Sequence, residues 1–278
     1  MVTRVLLLGG TGNFGGTVAR ALAPEPAIRL LVASRSLAAA RASAEALHAR
    51  NPDEAVELDI HAPDLGERIR AAGPQIVIHS VGPYQRQDYR VAEAAIACGA
   101  HYLDLADARA FVAGISALDE RARSAGVAVV SGASSVPCLT AAFIDFCLPS
   151  FARLDSADYG ISAAQATNRG LGTASAILSY VGRPFSRLSG GRKLRVHGWQ
   201  ELTAVRYPSI GTRLFGDCDI PDLELFPSRY PSLRDLRFSA GHEIKLLHLG
   251  TWLLSWAVRL RLLPTLDRFG SALLPTSF

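Results

Sequence analysis

The sequence predicts an α/β protein: an N-terminal doubly wound parallel sheet followed by a smaller α+β domain. Three observations carry this. Short apolar runs alternate with helical spans through the first half of the 278-residue chain. A glycine-rich turn, Gly9-Gly10-Thr11-Gly12-Asn13-Phe14-Gly15, follows the first apolar run at once. Past Pro149 the alternation stops, and prolines begin to divide the strand-like pieces.

Val5–Leu8, four consecutive apolar residues cut short by Gly9-Gly10, is a buried strand, and Gly15–Leu22 begins the helix behind it. Ile28–Ala33 is a second apolar run, and the Ala-rich span Leu37–Arg50 a long helix. Ala55–Asp59 is a third strand, with a short helix over Leu65–Ala72. Gln75–Ser80, rich in β-branched residues, is the fourth strand and Tyr89–Cys98 the next helix. His101–Leu105, the helix Phe111–Ala125 and Val127–Ser131 complete the pattern. Strands alternating with helices imply βαβ units, whose right-handed crossovers bring every strand's carboxyl end to one rim. Residues 1–150 are therefore read as one domain and 151–278 as a second. In the second, Ala157–Ala163 resembles a strand and Gly172–Val181 a helix. Lys193–Ala240 holds strand-like pieces separated by Pro208, Pro221, Pro227 and Pro231, fitting a substrate and dimerisation domain.

Hydrophobic residues make up 49% of the chain and charged ones 19%, a balance that excludes disorder. The net charge of +4 comes from scattered arginines, with Lys193 and Lys245 the only lysines. No basic run with interleaved aromatics is present, which argues against nucleic acid as a partner. Cys98, Cys138, Cys147 and Cys218 form no C-x-x-C pair and read as reduced, mostly buried thiols. The N-terminal apolar run is a strand rather than a signal sequence, which points to the cytoplasm.

Gly10-x-Gly12-x-x-Gly15 between strand and helix is the layout of a dinucleotide-binding turn. One glycine bends the chain, one admits the backbone to the pyrophosphate, and one lets helix pack on strand, as in a Rossmann domain. Gly10, Thr11, Gly12, Asn13, Phe14 and Gly15 are therefore cofactor-binding candidates, the anion lying over the free N–H groups of the helix. Arg35, after Ser34, stands where an NAD enzyme places its acid. A hydroxyl and a planar cation there suit a 2′-phosphate, so NADP is the expected cofactor; a solvated Arg35 capping its strand is the alternative. Asp59 is placed to reach the adenine amino group, or else is a solvated turn carboxylate. Ser80, Gly82 and Pro83 follow the fourth strand on the same rim and complete the cofactor set. Tyr84 is a candidate for stacking or proton transfer, against a packing tyrosine in a stiff turn.

With Ala33-Ser34-Arg35, Gly82-Pro83-Tyr84, Gly99-Ala100-His101-Tyr102-Leu103-Asp104-Leu105 and Ser135-Val136-Pro137 in the same order, the chain resembles the saccharopine dehydrogenase-like proteins. The similarity covers residues 1–150 and reaches the rest only through general layout. It implies a Rossmann domain binding NADP(H) and a mixed domain carrying substrate and dimer contacts, and the expected activity is hydride transfer to a C=N or C=C bond of a small or lipid-like substrate. The family often reads Tyr-Val-Asp-Leu-Thr-Gly-Glu after the fifth strand and Gly-x-Asp-Ser-Val-Pro after the sixth. This chain keeps Asp104 but reads Ala106-Asp107-Ala108, and has Ser134 in place of the second acid. The groups that would hold an ammonium are missing, which favours an apolar or lipid-like substrate.

Tyr84 and Asp107 are the catalytic candidates for proton transfer, and Ser134 and Ser135 the substrate candidates. A short-chain dehydrogenase site is excluded because no tyrosine has a lysine four residues on. A thiol mechanism at Cys138 is the weaker enzyme alternative, and a noncatalytic NADP-binding sensor or scaffold is the alternative of a different class. Asp217, Asp219, Asp222 and Glu224 cluster without histidines and read as a solvated loop, with no metal site expected. Glu243–Leu263 is helical in pattern, with Leu246, Leu247, Leu249, Trp252, Leu253, Leu254, Trp256, Leu260 and Leu263 around most of its circumference. It is too short to span a bilayer. Burial against the chain's own core is expected, ahead of a homodimer contact and of a peripheral membrane contact.

Overall fold

The structure is a computed structural model and describes residues 2–47, 54–164, 170–264 and 266. The chain divides into two compact units, Met1–Ser134 and Ser135–Phe278, so the second is no smaller than the first. In the first, β1 (Thr3–Leu8), β2 (Ile28–Ser34), β3 (Glu54–Glu57), β4 (Ile76–His79), β5 (His101–Asp104) and β6 (Val129–Val130) form one parallel sheet. Its order is β3-β2-β1-β4-β5-β6, the doubly wound arrangement that reverses between β1 and β4 and leaves a ligand crevice at their carboxyl ends. Strand β1 is buried on both faces: Leu6 and Leu8 enter one apolar cluster, Val5 and Leu7 the other. This double burial is why the strand reads as an unbroken apolar run without alternation.

The connecting helices are α1 (Asn13–Leu22), α2 (Leu37–Ala46), α3 (Leu65–Ala72), α4 (Arg90–Ala97), α5 (Arg109–Gly114) and α6 (Asp119–Ala125). Helix α2 ends before the expected Arg50, which lies outside the described residues. The single helix expected over Phe111–Ala125 is two helices joined by a 3-10 turn at Ile115–Leu118. The break has a local cause. The Tyr89 hydroxyl donates to the Phe111 carbonyl (2.8 Å), which an unbroken helix would offer to Ile115. A Cβ at position 114 would lie 2.5 Å from that hydroxyl, so glycine is needed there.

The second unit begins with α7 (Thr140–Cys147), whose Ala141 and Ile144 pack on the cluster around Phe226, Leu236 and Phe238. Its strands are β7 (Ser156–Ala163), β8 (Pro184–Ser189), β9 (Arg192–His197), β10 (Thr203–Tyr207), β11 (Gly211–Asp217) and β12 (Asp235–His242). They form a mixed sheet, β10-β11-β12-β8-β9, with β7 parallel to β12 and the other pairings antiparallel. The β8–β9 hairpin turns on Gly190-Gly191, both at positive φ, as a two-residue hairpin turn requires. Helices α8 (Gly170–Tyr180), α9 (Asp222–Arg229) and α10 (Lys245–Arg259) complete it. The sequence reading expects only strand-like pieces around Pro227; instead Pro227 lies inside α9, and Leu223 and Phe226 of that helix are core residues.

Three further expectations are overturned. The acidic cluster is not a solvated loop, because Asp217 and Asp222 are both fully buried. Asp217 accepts from Arg237 Nε (2.6 Å) and Arg187 Nε (3.3 Å), and Asp222 from the hydroxyls of Tyr159 (2.6 Å) and Thr140 (2.5 Å). Helix α10 does not bury its leucines. It turns His248, Thr251 and Ser255 inward and leaves Leu246 79% and Leu253 61% exposed. None of the four cysteines is in a disulfide; three are half-buried and Cys138 is exposed, rather than mostly buried.

Candidate cofactor and active site

The turn after β1 is built from close backbone approach. Gly9 has φ +79°, and its N–H and that of Gly10 both donate to the Ala33 carbonyl at the end of β2 (3.2 and 3.3 Å). Gly12 N–H returns to the Gly9 carbonyl (2.9 Å). A Cβ on Gly10 would lie 2.8 Å from a Val32 methyl. One on Gly15 would lie 2.1 Å from the Gly9 oxygen and 2.7 Å from Ser80 Oγ. No side chain caps α1 at Gly12, and no acid stands in its first turn, so its leading N–H groups are a ready anion site. Thr11, Gly12, Asn13 and Phe14 are exposed around it. The cradle fits a pyrophosphate.

Ser34 ends β2, and its Oγ accepts from Thr11 Oγ1 and from the Ser36 N–H, both at 3.4 Å, tying the glycine turn to the strand end. Arg35 beside it is exposed and makes no ion pair among the described residues, leaving its guanidinium available. Asp59 lies just beyond β3, half-buried, and accepts the His61 N–H (3.0 Å) in a local turn. Ser80 braces the turn from the other side, its Oγ donating to the Leu8 carbonyl (2.7 Å). Gly82 and Pro83 are exposed at the rim. Gln87 Nε2 holds this loop by donating to the carbonyls of Val81 (2.6 Å) and Pro83 (3.0 Å).

Tyr84 is buried, and its hydroxyl donates to the His79 carbonyl (2.6 Å). Burial, reinforced by the charges of Asp104 and Asp107, raises its phenol above the ordinary value. In this geometry the ring packs against His79 and Phe111, the arrangement of the packing tyrosine that is the alternative reading. Asp107 is half-buried. Burial raises its carboxyl, opposed by hydrogen bonds from its own backbone and from the Gln85 side chain. An aspartate raised in this way is suited to holding a proton.

Sequence reasoning missed the polar network beneath the rim. Asp104 Oδ1 accepts from Ala106 N–H, Ser131 Oγ and Gly132 N–H, each at 2.9 Å, sewing the end of β5 to the loop after β6. His79, fully buried, meets the Tyr102 hydroxyl through Nδ1 (3.0 Å), and burial lowers its pKa to about 4, so it is neutral. Residues 79 and 104 are register partners on neighbouring strands, a pairing that only the sheet reveals. Ser134 is half-buried at the end of the first unit. Ser135 is exposed and belongs to the second unit, so the two substrate candidates divide between the units. Among the described residues, no group of His, Cys, Asp and Glu could hold a metal ion.

Residues 5–130 match the profile of the saccharopine dehydrogenase NADP binding domain. Among solved structures, apo saccharopine dehydrogenase (L-Glu forming) from Saccharomyces cerevisiae is similar in fold. Its identity is 20% and its TM-score 0.65, over 86% of this chain and 55% of that one. The chain therefore spans just over half the length of that enzyme. The WlbA dehydrogenase from Thermus thermophilus (13% identity, TM-score 0.46, 86% and 73% covered) also matches. So does KijD10, a 3-ketoreductase from Actinomadura kijaniata (14%, 0.43, 88% and 71%). No curated protein sequence matches significantly. Residues 5–130, just under half of the chain, are thus similar to the NADP binding domain of saccharopine dehydrogenase, and NADP is the cofactor that this domain takes.

Proposed function

We propose that the protein is an NADPH-dependent reductase acting on a C=N or C=C bond of a small, apolar or lipid-like substrate. The observation that carries the reading is the carboxyl rim of the parallel sheet. There the uncapped start of α1, the Ser34–Arg35 strand end and the exposed Gly82–Pro83 turn follow β1, β2 and β4. When bound, NADPH supplies a hydride. The chain's own part is to hold the pyrophosphate on backbone N–H groups, to pair the 2′-phosphate with Arg35, and to keep a proton at the Asp107 carboxyl. Ser134 and Ala108 stand where the family pattern that the chain resembles has acids, which supports an apolar substrate over an amino acid.

The test is NADPH oxidation, followed by its absorbance, against a panel of apolar imines, enoyl compounds and ketones. Turnover on an imine or enoyl member is expected. Asp107→Asn is expected to lower kcat by about 100-fold, within the usual span for loss of a general acid, with NADPH affinity unchanged. Tight NADPH binding without turnover on any member would contradict the reductase reading and favour a binding module.

A further inference from the structure

Helix α10 presents polar residues to its own unit and apolar residues to solvent. Thr251 Oγ1 donates to the Leu247 carbonyl (3.0 Å) and lies 3.2 Å from His242 Nε2. His248 Nδ1 accepts the His242 N–H at 3.5 Å, and the His242 ring stacks on Trp199 with centroids 4.7 Å apart. The helix backbone also packs closely on Gly182, where a Cβ would lie 2.4 Å from the Ser255 carbonyl oxygen. These contacts set the rotation of the helix about its axis. Burying the leucines would require breaking all of them.

The outward side is then Leu246, Leu249, Leu253, Trp256 and Leu260, with Leu247, Leu254, Leu262 and Leu263 also exposed. This face is about half the circumference, wider than the narrow stripe that seats one partner helix. Its charges have one sign. From Ile244 to Leu266 the sequence has no Asp or Glu, while Lys245, Arg259 and Arg261 are exposed at the two ends of the helix. The Arg259 guanidinium lies 4.9 Å over the Trp256 ring and donates through Nη1 to Gln200 Oε1 (2.7 Å), which leaves Lys245 and Arg261 as the cations that face away from the unit. An antiparallel second copy would bring Lys245 of one helix toward Arg259 of the other, setting like charges together. No helix among the described residues is long and apolar enough to cross a membrane.

We propose that α10 is a membrane-docking element that lies in the plane of an anionic bilayer, leucines in the acyl boundary and cations among the headgroups. This surface is independent of the cofactor reading. The test is flotation of the full chain with vesicles of phosphatidylcholine alone and of phosphatidylcholine with phosphatidylglycerol, alongside light scattering. The wild type is expected to float with the anionic vesicles, roughly tenfold more than with neutral ones, and to be released by high salt. Leu253→Glu/Leu260→Glu, at exposed positions, should lower partitioning by roughly tenfold or more with an unchanged Tm. Lys245→Glu/Arg261→Glu keeps every leucine and should weaken binding to the anionic vesicles alone. Failure of the wild type to float, or equal and salt-insensitive binding to both vesicles, would overturn the proposal. A dimer dissociated by the double glutamate variant, with no flotation, would also overturn it and assign the face to a second copy.

Discussion

Replacing Asp217 with alanine is expected to cost the second unit about 3–5 kcal/mol, because it leaves two largely buried guanidinium groups facing each other without a counter-ion. Asp217 is fully buried at the end of β11, between Arg187 of β8 and Arg237 of β12, each less than one-fifth exposed. Burial pushes the carboxyl upward while both arginines oppose the shift. The large effect belongs to breaking the group rather than to the worth of the pairing itself. Asp217→Leu combined with Arg187→Met and Arg237→Met should therefore recover most of the loss. Urea denaturation of the wild type, the single variant and the triple variant separates the cases. A single variant within about 0.5 kcal/mol of wild type, the range of ordinary surface changes, would mean that solvent already compensates these arginines.

Gly15→Ala is expected to lower NADPH affinity by at least about 100-fold, or about 2.7 kcal/mol. The added methyl has nowhere to go: the Gly9 carbonyl oxygen lies 2.1 Å away and Ser80 Oγ 2.7 Å. Relief requires α1 to withdraw from the β1 turn, which moves the N–H groups that would hold the pyrophosphate. The neighbouring glycine is the control. A Cβ on Gly16 meets nothing nearer than 3.5 Å, a terminal Arg20 nitrogen. Gly16→Ala should leave affinity unchanged and add about 0.5–1 kcal/mol of helix stability. Equal losses from both substitutions, measured by calorimetric titration, would show that the turn tolerates displacement.

What could be read in the sequence is what is local. The strand–turn–helix at Val5–Leu22 declares itself because glycine spacing, apolar run and helical span are contiguous. Ser34, Ser80 and Gly82 follow because each ends or closely follows a readable strand. Most of what the sequence hides depends on partners distant along the chain. Asp222 looks like a loop acid until Thr140 and Tyr159, 82 and 63 residues away, close on it. Asp104 is visible as a residue, but its work on Ser131 and Gly132 depends on β5 lying beside β6. The acceptor of the Tyr84 hydroxyl is close in sequence but is a backbone carbonyl, which no side-chain pattern reports. Helix α10 is the sharpest case. Leucines surround most of it, so periodicity does not choose a face, and His242, Trp199 and Gly182 decide it.

The central claim is that the β1–α1 turn binds NADP(H) and that Arg35 reads the 2′-phosphate. Calorimetric titration of NADPH and NADH into the wild type and Arg35→Ala tests it most directly. The account predicts tighter binding of NADPH than NADH by the wild type. In Arg35→Ala, NADPH affinity should fall about ten- to a hundredfold, the value of one charge-assisted contact of about 1.5–3 kcal/mol, while NADH affinity stays unchanged. Equal NADPH affinity in the two proteins, or a wild type that prefers NADH, would contradict it.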